Sequence, residues 1–281
     1  MKHQSLLVAV MAAVLFISGA FQRTSAGLPM VLKQPWIGYF AVFENRNYQF
    51  SVEPDGQAAL TLMDPKGELM GKSSKITVSC VVEEILPNGE TRLKKIKNDS
   101  LESKEPATAK LEKTTIRGKV TGDAAYEVTI EQNLGVISIG GRITDTGTLT
   151  KNPLRFTVRV KIPNVYAEVE KGGHIAHKAF LKRIKDDCMN LKWTDGKRFK
   201  QNFIDRVDVN SKEINGPGIA NAEIEMDYYN GKRLRFGATE NSVITLWIDP
   251  PGPLHEGFTL NWVADTAKDP TGKSRLSLYV K

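Results

Sequence analysis

One turn recurs along this chain and limits what it can fold into. Glu53-Pro54-Asp55-Gly56-Gln57, Asp64-Pro65-Lys66-Gly67-Glu68 and Leu86-Pro87-Asn88-Gly89-Glu90 each place proline first, then a turn-forming residue, then glycine. Proline presets φ for the first central position of a type I turn, and glycine supplies the left-handed residue that closes a three-residue hairpin loop with a bulge. Closing the first turn this way sets Val52 opposite Ala58 and Phe50 opposite Leu60, apolar against apolar. Closing the second sets Met63 opposite Leu69. Turn chemistry and hydrophobic pattern therefore agree, as a real hairpin series requires.

A further hairpin centres on Asn230-Gly231. A two-residue loop would set core residues against arginines. A three-residue loop instead pairs Ile224 with Phe236 and Met226 with Leu234, and on the outer face Glu225 with Arg235 and Asp227 with Arg233. A slip of one residue would turn every side chain to the wrong face, so the longer loop is expected.

Period-two alternation continues elsewhere. Phe156, Val158, Val160 and Ile162 face one way, and Arg155, Arg159 and Lys161 the other. The trios Ile244, Leu246, Ile248; Phe258, Leu260, Trp262; and Leu276, Leu278, Val280 repeat the pattern. Many short strands with turn signals about every ten residues predict an all-β fold. The expectation is a large antiparallel β-sandwich built of hairpins, with a supersandwich as its largest form. Helical spacing occurs near 174–189 alone, where Ala176, Phe180, Ile184 and Cys188 recur every four residues. One short helix is expected there.

The N-terminus reads as an address. Lys2 and His3 precede an apolar run from Leu6 to Phe21, and Thr24 and Ala26 are the small residues of a cleavage site. A signal peptide over 1–26, cut after Ala26, is expected, giving a secreted or periplasmic protein. The run is short for the ~20 residues of a bilayer span, and no second apolar span follows. The mature chain, 27–281, forms either a single sandwich or two units. In the second case 27–100 is a small β-domain, Asn98–Lys113 (polar, charged and broken by Pro106) a linker, and 110–281 a second sandwich.

Removing Lys2 and Arg23, and no acid, takes the formal charge from +7 to +5. The cations are dispersed rather than gathered on one face, which argues against a nucleic-acid partner. Mild attraction to anionic surfaces or acidic polysaccharide is as far as this charge goes. Cys80 and Cys188 would meet an oxidising compartment. They form either one disulfide or two buried free thiols, since Ile76, Val78, Cys80 and Val82 share one strand face.

Chemistry-bearing motifs are sparse. Neither a G-x-S-x-G elbow nor a serine–lysine motif occurs, and no Gly-rich loop opens a helix. His174-Ile175-Ala176-His177 puts two imidazoles three apart, with Asp186, Asp187, His255 and Glu256 as further donors. Zinc needs three or four ligands with a supporting shell, so neither a metal nor a cofactor is expected. The aromatics say more. Trp262 alternates with core residues. Trp193 sits beside the Thr194-Asp195-Gly196 turn, and Trp247 lies on the strand face opposite Ile244, Leu246 and Ile248. Either both faces of that sheet are covered, as in a large sandwich with an extra layer, or the indole faces outward and calls for a partner.

The second half resembles, in layout, the large antiparallel sandwiches of sugar mutarotases and polysaccharide-processing enzymes. The function expected first is therefore a non-enzymatic module binding carbohydrate or a cell-envelope component. Its candidate ligand residues are Trp247, Trp193, His174, His177 and His255. The rival is a carbohydrate-active enzyme on such a sandwich, with His174, His177, His255 and Glu256 converging. The third is a structural envelope protein without a small ligand.

Overall fold

The computed structural model describes residues 40–108, 110–167 and 173–281, the side chains of 173–176 excepted. The expected signal peptide over 1–26 lies outside these residues. The protein is a large antiparallel β-sandwich. Seven strands form the first layer in the order β1 (Ala41–Glu44), β2 (Tyr48–Val52), β3 (Ala58–Leu62), β4 (Ile76–Ile85), β10 (Leu154–Ile162), β16 (Phe258–Ala264) and β15 (Ser242–Trp247). The short β5 (Thr91–Leu93) extends the far end of β4.

The second layer runs β6 (Ile96–Ser103), β7 (Lys113–Val120), β8 (Ala125–Asn133), β9 (Val136–Asp145), β17 (Leu276–Val280), β14 (Arg233–Ala238), β13 (Ile219–Glu225), β11 (Cys188–Trp193) and β12 (Arg198–Asn202). Among the described residues the layers are joined at one edge by the pair Ile219↔Ile244, and at the other the segment after β6 bonds to β1 through Ala41↔Thr108.

The turns set the registers they predict. Val52 pairs with Ala58, Phe50 with Leu60 and Met63 with Leu69, and Gly56, Gly67 and Gly89 all have φ near +80°. The Asn230-Gly231 hairpin differs. Ile224 pairs with Leu234, not Phe236, and Glu223 and Glu225 pair with Arg235 and Arg233. A 3-10 turn over Asp227–Tyr229, with Tyr229 buried and Asn230 left-handed, lengthens the loop. The register shifts by two positions and every side chain keeps its face. Asp227 is thereby released from Arg233 and pairs with Arg183.

Two other expectations need correction. The helix, α1, covers Gly173–Arg183, and a 3-10 turn over Ile184–Asp186 follows it. Cys188 belongs to β11 instead, laddered to Glu225 and Asn202. The stretch 98–113 is not loop throughout: its first residues complete β6, which rejoins β7 after a bulge through Glu102↔Arg117 and Ser103↔Ile116.

The core fills the space between the layers. Ile76, Val78, Cys80 and Val82 of β4, with Phe156, Val158, Val160 and Ile162 of β10, meet Tyr126, Val128 and Ile130 of β8 and Ile137 and Ile139 of β9. Trp262 is fully buried there. Gly141 on β9 lets the layers approach, since a Cβ at that position would stand 2.5 Å from Phe156 Cζ. At one end the Tyr48 hydroxyl donates to the Gly135 carbonyl across the layers, at 2.7 Å. Cys80 and Cys188 are both buried as free thiols. They stand in different layers, Cys80 facing the interior from β4.

Candidate functional site

A strand that fills the core with one face must present its other residues outward. On the first layer the outward set forms a grid. Its rows follow from the registers: Thr77, Lys161, Thr259 and Trp247 in one; Ser79, Arg159, Asn261 and Thr245 in the next; Val81, Thr157, Val263 and Val243 in the third; and Glu83 beside Arg155 at the end. All of them line one open groove of about 990 Å³, walled on the β5 side by Thr91 and Leu93. Neighbouring strands stand about 4.8 Å apart, so each row spans roughly 15 Å from β4 to β15.

Glu83 anchors one end. Its side chain is 3% exposed. Its Oε2 accepts Arg155 Nε at 3.0 Å, Arg155 Nη2 at 2.7 Å and the Thr157 hydroxyl at 2.8 Å, and its Oε1 accepts Arg159 Nη2. Burial pushes the Glu83 carboxyl up, but the hydrogen bonds from Arg155, Arg159 and Thr157 and the charge of Arg155 outweigh it. The net shift is downward. Glu83 is therefore a fixed anion at neutral pH, positioning two guanidinium groups in the groove floor.

Two atoms of that floor are unspent. Arg159 Nε, a donor, and Asn261 Oδ1, an acceptor, are shielded from solvent and have no hydrogen-bond partner among the described residues. Their residues sit directly opposite each other on β10 and β16. Unsatisfied polar groups of this kind cost about 1–3 kcal/mol each and call for an explanation.

Trp247 closes the first row at the edge strand β15. It is 48% exposed and faces away from the core. Beyond it the free edge of β15 is covered by the segment carrying α2 (Lys212–Asn215). The Asn215 amide accepts from Leu246 N at 2.7 Å and donates to Leu246 O at 3.3 Å, and Asn210 donates to Ile248 O at 3.1 Å. These side chains take the place of a neighbouring strand and blunt the edge.

The other sequence candidates lie elsewhere. Trp193 is half-buried, its indole N–H donating to Ile214 O at 2.9 Å and its ring stacked on Phe199. It is packed rather than presented. His255 is buried, with Nδ1 3.3 Å from the Phe203 carbonyl oxygen and its ring against Phe180. His177 is exposed, its ring 6.2 Å from that of Phe180. His174 falls in the first turn of α1, its side chain outside the described residues. Neither His177 nor His255 reaches the groove, and the described residues hold no group of three or more metal-binding side chains.

Near them Asp187 is buried, accepting the Tyr166 hydroxyl at 2.7 Å and the Asp227 N–H at 2.8 Å. Burial pushes its carboxyl up, ahead of the opposing effect of those bonds. This arrangement holds the end of α1 against the loop before β14. Sequence reasoning set Trp247 on the outward face, where the structure has it, and did not single out Glu83, Arg159, Thr157 and Asn261 as its neighbours in the groove. The available signal was an outward Arg-x-Thr-x-Arg-x-Lys row on β10, but its partner Glu83 lies 72 residues earlier in the chain.

No helix among the described residues is long and apolar enough to cross a membrane. No family model and no curated protein matches the sequence. Among solved structures the chain is similar to the α-N-acetylgalactosaminidase NagBb from Bifidobacterium bifidum. Its GalNAc complex matches with 9% identity and a TM-score of 0.47 over 85% of this chain. Its Gal-NHAc-DNJ complex matches with 10% identity and a TM-score of 0.45. The present chain covers 35% of the length of those chains.

Proposed function

We propose that this is an exported, non-enzymatic sugar-binding protein whose groove on the outer face of the first layer holds a segment of polysaccharide. The observation that carries the proposal is the combination in one groove of a half-exposed indole, Trp247, with an unspent donor and an unspent acceptor on facing residues, Arg159 and Asn261. A pyranose offers a face of C–H bonds that stacks on a flat ring, and hydroxyls that donate and accept at once. A sugar hydroxyl, which donates and accepts at once, can relieve both Arg159 Nε and Asn261 Oδ1. Both residues are partly exposed on the groove side. Ligand sites are typically concave, with a few placed polar groups, and this groove is open enough for a chain to run through.

Binding is favoured over hydrolysis by the acid inventory. Glycoside hydrolysis ordinarily uses two carboxyl groups about 5 to 9.5 Å apart. Among the described lining residues Glu83 is the one carboxylate, and it is held ionised by two arginines. Export rests on the charged start, apolar run and small-residue cleavage site at the N-terminus. The test is a glycan-array screen of the protein beside its Trp247→Ala variant. Binding that disappears in the variant is the expected result, and failure to bind any glycan would retire the proposal.

A further inference from the structure

The charges of the groove say which sugars it takes. Lys161, Arg155 and Arg159 face it against the single carboxylate of Glu83, leaving a surplus of two positive charges among the described lining residues. Glu83 occupies the inner ends of both arginines. Lys161, exposed, has no ion-pair partner among the described residues. An unpaired ammonium on a long stem is a mobile cation suited to a charged group standing above the sheet.

Its position is specific. Lys161, Thr259 and Trp247 are consecutive members of one row, on β10, β16 and β15. Two strand spacings separate the lysine from the tryptophan, about 10 Å between backbones. A pyranose stacked on the Trp247 ring, itself about 5 Å across, would place an exocyclic substituent above Thr259. The Lys161 stem reaches that point. A neutral hydroxymethyl there would leave the ammonium without a counter-charge, whereas an acidic substituent would supply one.

We propose, building on the sugar-binding reading above, that the groove selects anionic saccharides, with Lys161 receiving the carboxylate or sulfate of the residue stacked on Trp247. Thr259, between them, lines the same groove and has no side-chain hydrogen bond among the described residues.

The test is isothermal titration of the protein with polygalacturonate, dextran sulfate and the neutral polymers dextran and xylan, at low and moderate salt. The expected result is binding to one or both anionic polymers, the active arm telling carboxylate from sulfate. Lys161→Gln should weaken it about tenfold, Lys161→Arg should largely restore it, and Trp247→Ala should abolish it. Salt should weaken the wild type more than Lys161→Gln, because one screened ion pair is missing from the variant.

Preferential binding of dextran or xylan, unaffected by Lys161→Gln, would overturn the anionic preference while leaving the sugar-binding reading intact. Binding to dextran sulfate that ignores Trp247→Ala would mark ionic adsorption and overturn it as well. Loss of all binding to all four polymers would count against both. Lys161 and Trp247 are exposed, so the variants should melt with the wild type, and a circular-dichroism melt of each confirms that the comparison is one of binding.

Discussion

Replacing Glu83 by glutamine should expose how far the groove floor depends on one carboxylate. The side chain accepts four hydrogen bonds, three of them from guanidinium groups. Removing one member of a fully buried ion pair costs about 3–5 kcal/mol, chiefly because the partner is left uncompensated. Here Arg155 and Arg159 are 34% and 36% exposed and water can take up part of their charge. The expected loss for Glu83→Gln is therefore roughly 2–3 kcal/mol. For a chain of this size that corresponds to a drop in melting temperature of roughly 4–10 °C. Thr157→Val removes one neutral donor to the same carboxylate and should cost about 1 kcal/mol.

The pH dependence gives the sharper reading. The folded-state pKa of Glu83 lies below its ordinary 4.5. Its contribution is thus complete above that value and is lost as the pH falls through the folded-state pKa. Thermal melts and urea titrations at pH 7 and at steps below pH 4.5 should show the gap between wild type and Glu83→Gln widest at neutral pH and closing in acid. A variant melting within a degree of wild type at pH 7, or a gap indifferent to pH, would refute the reasoning.

Two other consequences can be checked on the same material. Gly141→Ala would push a Cβ to 2.5 Å from Phe156 Cζ and 2.6 Å from the Glu127 carbonyl oxygen. Overpacking of this kind costs about 1–3 kcal/mol, so urea unfolding should show a lowered midpoint, partly restored by Phe156→Leu; an unchanged midpoint would mean that the layers do not meet as closely as described. Burial pushes the Cys80 thiol up to about 12, with Asp55 adding to it, and raises Cys188 as well. A thiol reagent at pH 8 should therefore label neither in the native protein and two per chain in denaturant without reductant; labelling of none in denaturant would reveal a disulfide.

The sequence made the frame of this fold legible because two local signals coincide. Proline and glycine fix the turns at 54–56 and 65–67, and the apolar residues on either side then pair in the register those turns dictate. At Asn230 the same logic went astray by two residues. The 3-10 turn over Asp227–Tyr229 draws its stability from tertiary packing, with Tyr229 buried and the Asp227 N–H bonded to Asp187 forty positions away. A local rule has no access to that partner. The end of α1 was overrun for the same reason: four-residue spacing continues through Cys188, yet ladder bonds to Glu225 and Asn202 claim that residue for a strand.

The groove was half legible. Period two announces that Arg155, Arg159, Lys161 and Trp247 point outward, but says nothing of which outward residues become neighbours. That depends on β4 meeting β10 and on β10 meeting β16, pairings closed over long stretches of chain. Glu83 illustrates the consequence. Alone it is an acid near a strand end; against Arg155, Thr157 and Arg159 it becomes the fixed anion that aims two guanidinium groups along the floor.

The same geometry separates two kinds of change. Even-numbered positions from 76 to 82 on β4 and those of β10, β15 and β16 fill or flank the core, and odd-numbered positions from 77 to 83 on β4, 155 to 161 on β10, 243 to 247 on β15 and 259 to 263 on β16 face the groove. Substitutions in the row of Lys161, Thr259 and Trp247 can thus change the groove's lining without disturbing the packing beneath it. At Glu83, where an outward residue is itself buried, fold and groove cannot be varied independently.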